Sequence, residues 1–259
     1  MPDLADAAQR YVDRRPWLPG AGRSLARLRA LDPPTDEALC LDIADAYEAA
    51  PVVSDDPAVP GRYRRLKAET LEQFDAVRAA GIQVRPWRGE GQPYRDSRDL
   101  IERVTRTGTL RVFLTSAGHG PAGATGGHPM AEPSGIVSDG VRLAHNDVFR
   151  AVHDAFGHVL PGAGFGPRGE FRATWCHLQL YSPPVHPVLL AEQIGQICWF
   201  FFGPHTRGPG GRRRRPGEAG YVPPARRPYP VQKVIGLDGA IAARFTGTFA
   251  RSSDVQELV

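Results

Sequence analysis

The sequence predicts a mostly helical α+β protein: a helical catalytic core, a small β-containing unit and long Gly/Pro loops. Three observations carry this. Apolar residues recur at helical spacing through the first third and again in three successive stretches after residue 140. Two short runs between them, Ile82–Val84 and Leu110–Leu114, read as strands. The 29 glycines and 25 prolines require many turns between these elements.

In chain order, Leu4–Val12 is a short amphipathic helix. Thr35–Ala49 is a better one, with Thr35 as its cap and Ala38, Leu39, Leu41, Ile43 and Ala44 at apolar positions. Leu66–Ala80 follows with Leu71, Phe74 and Val77 on one face and Gly81 as its stop. Between Gly81 and Ser116 the two strand-like runs flank a helix that Asp96 or Ser97 can cap, which makes a small β-α-β unit. Residues 117–140 read as Gly/Pro loop carrying His119 and His128. The three later helices run from Asn146 or Asp147 through His153, from about Gly169 to Tyr181, and from Val188 to Phe202. His205–Pro228 reads as a mobile Gly/Arg/Pro surface loop, and the tail from Val231 holds a strand-like run and one weak helix. Two regions result, 1–116 and 117–259, expected to form one compact unit.

Composition narrows the function classes. A chain of 259 residues, 41% of them hydrophobic, can bury a real core. The net charge of +4 resides in Arg212–Arg215, Arg226 and Arg227, so the overall charge gives nucleic-acid binding little support. Cys40, Cys176 and Cys198 are odd in number and lack CxxC spacing, which argues against a disulfide framework or zinc ribbon and for a reducing cytoplasm. The acidic start shows no signal-peptide pattern, and no run reaches the roughly 18 apolar residues of a membrane span.

The chemistry concentrates in His153-Asp154-Ala155-Phe156-Gly157-His158. On a straight α-helix, residues five apart diverge by about 140°, so the two rings would not share a face. They converge if the helix ends between them, and Gly157 and Pro161 suit such an end. Two imidazoles can hold Fe²⁺, Zn²⁺ or Mn²⁺. The expected third ligand is Glu192, an acid inside an otherwise apolar helix, where an unpaired carboxylate is costly. Glu170, Thr174, His177 and Tyr181 share one helical face, so Glu170 and His177 are candidates to orient ligands, act as acid or base, or bind metal themselves. The competing reading makes the histidines structural, pairs Glu192 with Arg150 or Arg172, and credits Glu170 to the helix dipole.

The string His153-Asp154-Ala155-Phe156-Gly157-His158-Val159 resembles the metal-binding H-[ED]-x-x-G-H-V segment of the pterin-dependent aromatic amino acid hydroxylases. The resemblance implies iron on His153 and His158, with Glu192 completing the triad. No position here matches that family's pterin-binding or substrate-carboxylate residues. Asn146–Trp199 is also similar to an uncharacterised group of phage-associated and actinobacterial proteins. The function expected is thus a cytoplasmic non-haem iron oxygenase, an oxidoreductase using dioxygen on a small, aromatic or amino-acid-like molecule. Two alternatives stand beside it: an HD-type metal-dependent phosphohydrolase using His145 and Asp238, and a phage-derived interaction protein with a structural metal.

Overall fold

A computed structural model describes residues 3–34, 36–118 and 127–250. The architecture is mostly helical with two small two-stranded sheets. Helix α1 (Leu4–Asp13) starts at Asp3, whose carboxylate accepts the Asp6 N–H. Helix α2 (Glu37–Ala49) starts at Asp36, which accepts the Leu39 N–H at 2.9 Å; the expected cap, Thr35, lies outside the described residues. The third helix begins earlier than its apolar spacing indicated, as α3 (Val59–Ala79), with Pro60 in the first turn, where a missing N–H costs nothing. That extra length matters, because it carries Tyr63 into the interior.

The β-α-β unit is present. Strand β1 (Gln83–Pro86) pairs in parallel with β2 (Thr109–Val112), Gln83 opposite Thr109, across helix α4 (Ser97–Thr107). Asp96 caps α4, and Gly108 at φ 64° turns the chain out of it. The reading of 117–140 as loop is corrected: β3 (Pro133–Ser138) runs antiparallel to β4 (Val141–Ala144). Asp139 (φ 46°) and Gly140 (φ 75°) form the bend, the left-handed pair that a tight hairpin demands. His119 lies outside the described residues.

Helix α5 (His145–Val152) follows directly, then α6 (Pro167–Leu180), α7 (His186–Leu190), α8 (Gln196–Phe202) and α9 (Gly239–Ala250). One apolar core spans both sequence regions, with α2 packed on α8 and α3 on α5. The segment expected to be a mobile loop is instead tied down: Arg207 pairs with Asp45 at 2.7 Å, and Arg213 lies over the Phe202 ring at 4.5 Å. The three cysteines are buried and free. Among the described residues, no helix is long and apolar enough to cross a membrane.

Asp147 joins the β-α-β unit to α5. It is buried and accepts from the Thr115 N–H at 2.6 Å, the Thr115 hydroxyl at 2.7 Å and the Ala144 N–H at 2.8 Å. Removing a buried carboxylate that satisfies several donors strands them, so Asp147→Ala is expected to cost about 2–3 kcal/mol. A lower urea midpoint at unchanged slope would show it.

Candidate metal centre

Helix α5 does not end at Gly157. It widens into a π-helical segment, His153–Val159, in which the Leu160 N–H bonds back five residues to the Ala155 carbonyl at 2.9 Å. The Ala163 N–H likewise reaches the His158 carbonyl at 3.0 Å. This wider turn restores to one face the residues that an α-helix would splay, so the two rings meet without a helix break. Gly157 permits it by close packing: a Cβ there would lie 3.0 Å from His177 Nε2, 3.1 Å from Ala173 Cβ and 3.3 Å from His153 Nδ1. A second π-helical turn, Ala191–Gly195, links α7 to α8 and carries Glu192 and Gln193.

The donor atoms that converge belong to His153, His158 and Glu170. The two Nε2 atoms stand 2.9 Å apart, and Glu170 lies 3.3 Å from the first through Oε2 and 3.6 Å from the second through Oε1. Bonds of roughly 2.1 Å put adjacent donors about 3.0 Å apart at right angles and about 3.4 Å apart in a tetrahedron. The observed separations span those values, with Glu170 presenting a different oxygen to each ring, so the three side chains have the donors and the spacing to hold one metal ion.

Ring orientation supports the same fit. His158 Nδ1 lies 3.2 Å from the Ala163 carbonyl, so Nδ1 holds the proton and Nε2 turns its lone pair inward. His153 Nδ1 lies 3.2 Å from the Gln193 carboxamide. The Gln193 oxygen is buried without a partner among the described residues, and turning the amide over lets it accept the Nδ1 proton. Both Nε2 lone pairs then face one another, an arrangement that a cation between them relieves. Burial holds His158 down at about 4, so its ring is neutral at physiological pH. Burial opposes ionisation of Glu170, but the two histidines outweigh it and hold its pKa below the usual value. For His153 burial acts downward, and the hydrogen bond that its protonated ring donates to Glu170, with the charges of Glu170 and Asp154, reverses it to a net rise, so a proton competes with a cation for this Nε2.

Glu170 occupies the first turn of α6, where the helix dipole favours a carboxylate. Its neighbours in sequence do not compete for it: Arg168 pairs with Asp32, and Arg172 donates to the Leu28 and Arg29 carbonyls. His177 lies behind the site, fully buried, with its ring stacked on His153 at 5.2 Å between centroids. Burial holds it well below the ordinary histidine range, and neither ring nitrogen has a partner among the described residues.

Glu192, the expected third ligand, lines the same cavity but is not among the converging donors. It accepts the Tyr63 hydroxyl at 2.5 Å and the Gln196 amide at 3.1 Å, with His128 Nε2 at 3.4 Å. Neither Arg150 nor Arg172 pairs with it; Arg150 donates to the Phe113 carbonyl at 2.7 Å. His128 accepts the Met130 N–H on Nδ1, which leaves the proton on Nε2, facing the carboxylate. Sequence reasoning read His128 as a plain loop residue and did not single out Tyr63 or Gln193. The acid in an apolar helix was the signal that such donors must exist. Of the other candidates, Asp238 caps α9 by accepting the Ile241 N–H, and His145 stands outside the converging set.

His153, Glu170 and Glu192 line one cavity of about 340 Å³. Phe149, Phe165, Phe200, Phe201 and Tyr229 supply its aromatic wall, and Gln193, Gln196 and Gln232 its carboxamides. Comparison with family models, curated proteins and solved structures gives no match.

Because Gln193 orients His153, Gln193→Ala is expected to weaken metal affinity about 10–100-fold while leaving the fold intact. Competition for metal against a chromogenic chelator measures this directly.

Proposed function

We propose that this chain is a non-haem iron oxygenase acting on a small aromatic molecule. The observation that carries the reading is a set of two imidazoles and one carboxylate beside an aromatic-walled cavity. Two histidines and a carboxylate on one side of an ion form the arrangement that suits Fe(II) and leaves positions for substrate and dioxygen. When bound, the iron supplies the redox chemistry that no side chain here can perform. The resemblance of the His153–Val159 segment to the aromatic amino acid hydroxylases supports iron over zinc or manganese. It supports pterin no further, since no pterin-binding residue is matched.

The chain's own contribution is position and exclusion. His153, His158 and Glu170 hold the ion, and Gln193 and the Ala163 carbonyl fix the two rings. The rings of Phe149 and Phe165 pack against these histidines, keeping water from that side and offering a planar surface to an aromatic substrate. Glu192, held by Tyr63 and Gln196, faces the same cavity as an ionisable group able to accept a substrate's hydrogen bond.

Anaerobic loading with Fe(II), metal analysis and then oxygen uptake test the proposal. One iron per chain with oxygen consumption on adding a reductant and small aromatic compounds is expected. Turnover of phosphate esters with zinc or manganese, and none with iron and oxygen, would favour a hydrolase instead.

A further inference from the structure

We infer that the β-α-β unit carries a second site, apart from the metal centre, that holds the phosphate groups of a small phosphorylated molecule. The site is a cavity of about 250 Å³ where α4 meets β1 and β2, and no carboxylate lines it. Strand alternation puts Arg85 on the exposed face of β1, and Thr109 and Arg111 on the corresponding face of β2. Helical spacing brings Arg103 and Arg106 to one face of α4, and both line the same cavity. The buried Tyr94 completes it, its hydroxyl oxygen accepting the Arg111 N–H at 2.7 Å. None of these residues lines the cavity beside His153 and Glu170.

Positive charge here exceeds what the protein supplies to balance it. Arg85 and Arg111 are register partners on adjacent strands, where like charges side by side are destabilising. Arg103 gives its Nε to Asp99 at 2.7 Å, and Arg95 shares that acid at 3.7 Å. Asp139 stands 3.7 Å from Arg85, an exposed pairing that solvent screens. Among the described residues, Arg106 and Arg111 have no carboxylate within 4.0 Å. The Arg111 guanidinium lies over the Trp87 ring, 5.7 Å from its centroid. Two guanidinium charges without an acid match the charge of about −2 on a phosphate monoester near neutral pH. Donors that arrive from two strands and a helix suit the three terminal oxygens of phosphate, whereas a carboxylate offers two oxygens in one plane. Because the Tyr94 oxygen accepts from Arg111, its own proton is left for an anion. At about 250 Å³ the cavity falls below the roughly 300–1,000 Å³ of whole-ligand pockets, so it takes the phosphates and leaves the rest of the molecule outside.

Calorimetric titration of the full-length chain tests the site, with divalent metal removed so that diphosphate cannot bind through an ion. The probes are inorganic diphosphate, ADP, adenosine, citrate and a short single-stranded DNA. Diphosphate and ADP are expected to bind at one site per chain, about tenfold or more tighter than citrate or adenosine. Tighter ADP assigns a nucleotide as the source and tighter diphosphate a free anion; either supports the site. Arg106→Gln and Arg111→Gln should each weaken binding about tenfold or more, whereas Arg215→Gln, in the other arginine-rich segment, should leave it nearly unchanged. Citrate binding as tightly as diphosphate, an equal loss in Arg215→Gln, or no saturable binding overturns the proposal. DNA binding tighter than ADP also overturns it, in favour of a nucleic-acid surface. Arg106 and Arg111 are exposed, so both variants should stay folded, which circular dichroism checks. The comparison of diphosphate with citrate on the unaltered chain decides the matter even if one does not.

Discussion

Glu170→Ala is expected to lose the metal, and Glu192→Ala to retain it. The two acids are alike in composition and context: each lies on a buried helix near an aromatic cluster, and each lines the same cavity. They differ in what faces them. Glu170 faces two Nε2 lone pairs at 3.3 and 3.6 Å, whereas Glu192 faces hydrogen-bond donors on Tyr63, Gln196 and His128. A carboxylate already receiving donors has fewer lone pairs for an ion, and one set among lone pairs is stabilised by a cation. Removing Glu170 therefore removes a ligand, and the loss in affinity should exceed the roughly 10–100-fold that a missing supporting partner costs. Removing Glu192 should change affinity by no more than that. Competition against a chelator, with circular dichroism confirming folding of both variants, reads the difference.

Gly169→Ala carries the second large effect, and here the cause is steric. A Cβ at this position would run into the Gly164 carbonyl, both its oxygen and its carbon. Both are backbone atoms, so no rotamer change relieves the contact; the loop before α6 or the first turn of α6 must move. Ordinary overpacking costs about 1–3 kcal/mol, and this substitution should reach at least the top of that range. Glu170 is the next residue, so the same displacement pulls the carboxylate away from His153 and His158. Gly166, which opens the same turn, has nothing within 4 Å of an added Cβ, and Gly166→Ala should cost about 1 kcal/mol or less. Thermal unfolding and metal stoichiometry of the pair separate a steric effect at Gly169 from any general need for glycine near α6.

Much of this architecture can be read from local patterns, and the exceptions have identifiable causes. Helices with caps and a clear apolar face, such as α1 and α4, are legible because local chemistry and packing agree. The strands β1 and β2 are legible from their apolar runs, but their parallel pairing comes from the fold. The β3–β4 hairpin is not legible, because glycines and prolines around it mask an Asp139-Gly140 turn flanked by Ile136-Val137 and Val141. At the site, two histidines five apart are conspicuous, yet the π-helical turn that unites them leaves almost no mark on the apolar pattern. It depends on how closely Gly157 meets Ala173 and His177 on another helix. The choice between Glu170 and Glu192 is also tertiary. It follows from Tyr63 and His128, contributed by a helix start and a hairpin approach far away in the chain.

The central claim is that one ion is held by His153, His158 and Glu170. Crystals of iron-loaded protein, measured on both sides of the iron absorption edge, test it most directly. One anomalous peak is expected among His153 Nε2, His158 Nε2 and the Glu170 carboxylate, at about 2.0–2.2 Å from each. A peak held instead by Glu192 or His128, or stoichiometric iron without a peak between the two histidines, would contradict it.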